Sequence, residues 1–60
     1  MNSMSREYEV KTKSGKLVGL YSQSHDPNFR YVVCVEGKPK SYAINIGDAY
    51  REYNRIVVAN

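Results

Sequence analysis

A chain of 60 residues is one small domain, which buries only about 60% of the surface its unfolded form exposes and leaves no room for an enzyme with a cofactor domain of its own. Its 42% hydrophobic, 25% charged and 12% aromatic residues are globular values, not those of a disordered chain. Nine Lys and Arg against six Asp and Glu leave a net charge of +3, and a single cysteine, Cys34, with a single histidine, His25, excludes both an internal disulfide and a structural zinc site.

Residues 1–6 read as a disordered N-terminus, and 7–60 as a single domain. Met1-Asn2-Ser3-Met4-Ser5 lacks the charged-then-apolar pattern of a signal peptide. From residue 7 the chain alternates, with Glu7, Glu9, Lys11 and Lys13 on one side and Tyr8, Val10 and Thr12 on the other. That is the period of a half-buried strand. Ser14-Gly15 marks a turn, and Leu17 to Ser22 returns as a second strand. Gly19 interrupts it and marks a bulge or a close approach of another group. The polar run Gln23-Ser24-His25-Asp26-Pro27-Asn28 reads as a loop; His25 and Asp26 have no nucleophile at a fixed spacing and are read as part of that turn.

Phe29 to Glu36 carries the strongest strand signal, apolar on both faces and therefore central. Its apolar core Tyr31–Val35 falls far short of the ~20 residues of a membrane span. With no export signal and an unpaired cysteine, a cytoplasmic location without membrane attachment is expected. Glu36-Gly37-Lys38-Pro39 turns the chain into a short strand over Lys40 to Ile44. Asn45 then suits a helix N-cap, with Asp48 three positions on. At 100° per residue Ile46, Ala49, Tyr50, Tyr53, Ile56 and Val57 share an arc of roughly 120°, with Arg51 and Arg55 opposite and near Asp48 and Glu52. The fold class is α+β: a small antiparallel sheet of three to four strands packed on one C-terminal helix, in the order β-β-β-β-α.

One helix covers one sheet face and leaves the other open. Tyr31, Val33 and Val35 are expected to face the helix; Arg30, Val32, Cys34 and Glu36 are expected to face outward. Arg30, Lys38 and Lys40, together with Tyr21 and Tyr42, are then the candidate contact residues of the open face. The lysines also fit a plainer role, that of blunting a sheet edge. Tyr31, Tyr50 and Tyr53 read as core. Val32 and Cys34, apolar on an outward face, suggest cover by a second copy and a possible homodimer.

The segments Gly19-Leu20-Tyr21, Phe29-Arg30-Tyr31-Val32-Val33-Cys34-Val35-Glu36-Gly37-Lys38 and Asp48-Ala49-Tyr50-Arg51-Glu52-Tyr53-Asn54 follow one another in a known order. Over about three-fifths of the chain they resemble the three-stranded-sheet-plus-helix DNA-binding domain of Apetala-type plant transcription factors and of phage-integrase arm-binding domains. Phe29 stands where that family has Trp, Val32 replaces a strand arginine, and Ala43-Ile44 replaces a Leu-Gly pair. The resemblance implies that the open sheet face binds double-stranded DNA, in a phage or mobile-element setting, with Arg30 the remaining base-reading arginine. The residues themselves point to a non-enzymatic binding module with no cofactor and no metal. The alternative partner is a host protein, bound and inhibited by a small phage-like chain through exposed tyrosines.

Overall fold

The computed structural model describes residues 4–23 and 28–60. Four strands, β1 (Met4–Lys11), β2 (Leu17–Gln23), β3 (Tyr31–Val35) and β4 (Lys38–Ala43), precede one helix, α1 (Ile46–Ala59). The strands form a single antiparallel sheet in the order β1-β2-β3-β4. The α+β class and the β-β-β-β-α order read from the sequence are those of the protein. β1 starts earlier than the alternation suggested. Residues 4–6, assigned above to a disordered N-terminus, pair with Gln23, Ser22 and Tyr21. Alternation is broken there by a bulge at Glu7, which masks the strand from a period-two reading.

The turns follow local chemistry. Gly15 has φ 87°, and Thr12 closes its turn through backbone bonds with Gly15 and Lys16. Glu36 (φ 52°) and Gly37 (φ 81°) are both left-handed, as a two-residue hairpin matched to the strand twist requires. Asn45 caps α1: its Oδ1 accepts from the Asp48 backbone N at 2.9 Å, and its Nδ2 donates to the Asp48 carboxylate at 3.1 Å. At the other end Asn60 bonds back to Ile56 and Val57.

The core lies between α1 and one face of the sheet. It consists of Val18, Leu20, Val33, Val35, Ala49, Tyr53 and Ile56, with Tyr31, Ala43 and Val57 partly buried around it. Tyr50, expected in the core, is instead half exposed; it stands in a cluster with Tyr8 and Tyr53, ring centroids 5.2 to 6.2 Å apart. Ile46, also expected on the buried arc, is likewise exposed. Among the described residues no helix is long and apolar enough to cross a membrane.

Candidate functional site

Neighbours across a sheet point to the same side, so the strand register assigns each residue to a face. Rows Val10–Val18–Val35–Lys38 and Tyr8–Leu20–Val33–Ser41 face the helix. Rows Glu9–Gly19–Cys34–Pro39 and Arg6–Tyr21–Val32–Tyr42 form the open face. Lys11 and Leu17 pair one step beyond Glu9 and Gly19, on the open side. Val32 and Cys34 do face outward. They are nonetheless only 2% and 7% exposed within a single chain, so they need no second copy to leave water, and the expectation of a dimer seam there loses its basis.

Their cover comes from neighbouring side chains. The Tyr21 ring folds back along its own strand and lies over Gly19, where a Cβ would collide with the phenol. Gly19 is therefore the close approach, and the bulge falls on β1 instead. From that position the ring shields Cys34, the cross-strand neighbour of Gly19. Burial, reinforced by the charge of Glu9, pushes the Tyr21 phenol above its ordinary range. Glu9 also pairs with Arg6 at 3.2 Å. Burial likewise pushes the Cys34 thiol up, away from a reactive thiolate. On β4, Tyr42 is 51% exposed and meets Phe29, 50% exposed, edge to face at 5.5 Å.

The five residues singled out from the sequence do not share one surface. Tyr21 and Tyr42 lie in the same open-face row, with Val32 between them. Arg30 is exposed just before β3; its backbone carbonyl accepts from Gln23 at the far end of the sheet. Lys38 lies at the opposite end, about 17 Å away along β3 at ~3.3 Å per residue, and Lys40 falls short of it, level with the Val33–Cys34 step. They are also displaced from the open face. The register slips between Val33 and Cys34, so that Lys40 becomes the extra residue of a bulge, and Lys38 aligns with Val35 on the helix side. Both line a cleft of about 450 Å³ with Lys16, Arg55, Ile56 and Asn60. The expected basic face of Arg30, Lys38 and Lys40 is thus split in two.

What the fold assembles instead is a lysine-rich end. The β1–β2 and β3–β4 turns fall side by side in this strand order, which gathers Lys11, Lys13, Lys16, Lys38 and Lys40, all exposed, around the last turn of α1. Lys11 and Lys13 line a second cleft beside Val57 and Val58, on the other flank of the helix. Among the described residues none of the five has a carboxylate within ion-pair distance. The remaining acid nearby, Glu36, accepts from the Leu17 backbone N at 2.8 Å. Arg55 is paired with Glu52 at 2.6 Å, which holds that carboxyl below the usual carboxylate range. The carbonyl end of a helix is worth about half a negative charge.

The turn is fixed as well as charged. Ser14 Oγ donates to the Asn60 carbonyl at 2.6 Å, tying the first hairpin to the end of the helix, and Thr12 Oγ1 accepts from the Lys16 backbone N at 3.2 Å. Lys11, Lys13 and Lys16 were absent from the sequence-derived site. Their signal was the pair of segments Lys11-Thr12-Lys13-Ser14-Gly15-Lys16 and Gly37-Lys38-Pro39-Lys40, each read alone as a strand end with its turn. Arg51 pairs with Asp48 at 3.4 Å on the solvent face of α1. His25 and Asp26 lie outside the described residues. Among the described residues no three His, Cys, Asp or Glu side chains come together to hold a metal ion.

No family model, curated protein or solved structure matches this chain.

Proposed function

We propose that this chain is a non-enzymatic module that binds DNA by setting its lysine-rich end against the phosphate backbone. The observation that carries the proposal is the gathering of five lysines, none ion-paired among the described residues, from two turns around the end of α1. Three strand spacings from β1 to β4 span about 14 Å, the length over which one DNA strand presents about four phosphates. Such contacts position a protein without reading sequence. Arg30, isolated at the far end, is not placed to read a base while these lysines hold the backbone.

The test is the salt dependence of binding to a labelled oligonucleotide, read by anisotropy. Four phosphate contacts on duplex DNA give a slope of about −3.6 in log affinity against log salt, or about a 10²-fold loss between 50 and 200 mM. Lys16→Gln and Lys38→Gln should each reduce the slope by about one, whereas Arg30→Gln should leave it unchanged. A flat salt response, or no binding at about 50 mM salt, refutes the proposal and favours the alternative of a protein partner held through tyrosines.

A further inference from the structure

We infer that the nucleic acid this chain takes is single-stranded, its phosphates on the lysine-rich end and its bases stacked on Tyr21 and Tyr42 of the open sheet face. The inference rests on the phosphate-binding reading above and adds the form of the strand.

The argument starts from what the two faces of a nucleotide demand. A duplex hides the flat faces of its bases and offers only their edges, which are read by hydrogen-bonding side chains. The middle of the open face is poorly equipped for edges. Its rows run Glu9–Gly19–Cys34–Pro39 and Arg6–Tyr21–Val32–Tyr42. The Tyr21 hydroxyl is turned back over Gly19, the cross-strand neighbour of Glu9, and Arg6 is paired with the Glu9 carboxylate. Val32 and Cys34 are covered, so what remains toward solvent in the middle of the face is chiefly aromatic surface. A single strand can turn its base faces outward, and aromatic rings are their usual partners.

The rings are arranged for that use. The Tyr21 ring reaches over Gly19, which has no side chain to block it, and stays partly exposed on its outer side. Tyr42 stands in the same row beyond Val32, two strand spacings or ~9.6 Å away at the backbone, and the set-back of the Tyr21 ring over Gly19 widens the gap between the rings. Tyr42 is steadied by the edge contact with Phe29. That separation exceeds the ~3.4 Å rise per base along a duplex strand, so two bases on these platforms must be splayed apart, which only an unpaired strand allows. The polarity agrees with the charge. The Tyr21 ring points along β2 toward Leu17, the end where Lys11 sits on the same face. A backbone held at the lysines can therefore lead its bases directly onto the platform.

The experiment compares three probes of equal length at equal salt with the wild-type chain: a single-stranded oligodeoxythymidine, an abasic version of it, and a matching duplex. Stacking at one platform is worth roughly 5- to 150-fold in affinity. The single strand should therefore bind at least tenfold more tightly than the abasic strand, which keeps the phosphates and lacks the bases. It should also bind more tightly than the duplex. Tyr42→Ser, a change at an exposed position, should remove about tenfold for the single strand while leaving the abasic probe and the salt slope unaffected. Tyr21→Leu should act in the same way; should it unfold the chain, the abasic comparison on the wild type still decides the matter. Equal affinity for all three probes, with a steep salt slope, overturns the stacking inference while the phosphate-binding reading stands. Absence of binding to any probe at about 50 mM salt overturns both.

Discussion

Replacing Gly19 with alanine tests the construction of the open face. An ideal Cβ at this position would lie 2.6 Å from Cζ and 2.7 Å from Cε2 of Tyr21. The ring must withdraw by about 1 Å or more to restore ordinary contact. Because it is packed from one side only, the less strained response is a rotation about χ1 that lifts it off the sheet. Lifting it exposes on the order of 100 Å² of apolar surface, shared by the ring, Val32 and Cys34, at about 25 cal/mol per Å², or about 2.5 kcal/mol. Alanine in a strand interior returns roughly 0.5–1 kcal/mol relative to glycine. The net cost of Gly19→Ala is then about 1.5–2 kcal/mol, a fall in Tm of about 12–16 °C for a domain of this size. The local readout is Cys34. In the wild type the thiol is buried and its ionisation suppressed, so reaction with a disulfide reagent such as Ellman's should be slow. In Gly19→Ala it should accelerate at least tenfold at temperatures where the chain is fully folded. A variant destabilised elsewhere, Asn45→Ala, controls for global unfolding and should not show that acceleration. Gly19→Ala with wild-type thiol reactivity and an unchanged melt would refute the seating of Tyr21.

Asn45→Ala removes the acceptor for the Asp48 backbone N and should cost about 1 kcal/mol, measured as a lower denaturation midpoint with an unchanged slope. Tyr53→Ala empties the centre of the contact between α1 and the sheet and should cost roughly 3–5 kcal/mol; a cooperative melt close to that of the wild type would contradict the packing of α1. Glu52 accepts from Arg55 and from Ser41, and its carboxyl is held below the usual range, chiefly by the Arg55 hydrogen bond. A lowered folded-state value gives stability that is present above the ordinary carboxylate pKa and lost as pH falls through the folded value. Glu52→Gln should therefore flatten the acid limb of a Tm-against-pH curve, and an unaltered limb would show that the pair contributes nothing.

Much of the architecture was legible because it is written in short-range patterns. The start of α1 follows from Asn45 and the spacing of Ala49, Tyr53 and Ile56. The direction of β3 follows from the all-apolar set Tyr31, Val33 and Val35. The candidate site was less legible, for a reason of counting. Alternation carried back from Tyr42 puts Lys40 and Lys38 on the open face with Arg30, but the bulge at Lys40 shifts every earlier residue of β4 by one position and reverses its side. A bulge leaves no mark in hydrophobic periodicity when the residues around it are Lys, Pro and Ser. The burial of Val32 and Cys34 was hidden for another reason. It depends on the path of the Tyr21 ring along its own strand, which is a matter of side-chain rotamer and not of strand pairing.

The same bulge has a consequence for how copies of this sheet can meet. β4 is the outer strand on one side, and Pro39 deprives it of a donor while Lys40 breaks the even spacing of the rest. Another strand finds no regular ladder there. β1, the other border, carries its own bulge at Glu7, so each side of the sheet interrupts the ladder that a further strand would extend, and growth by strand addition into a fibre is opposed at both.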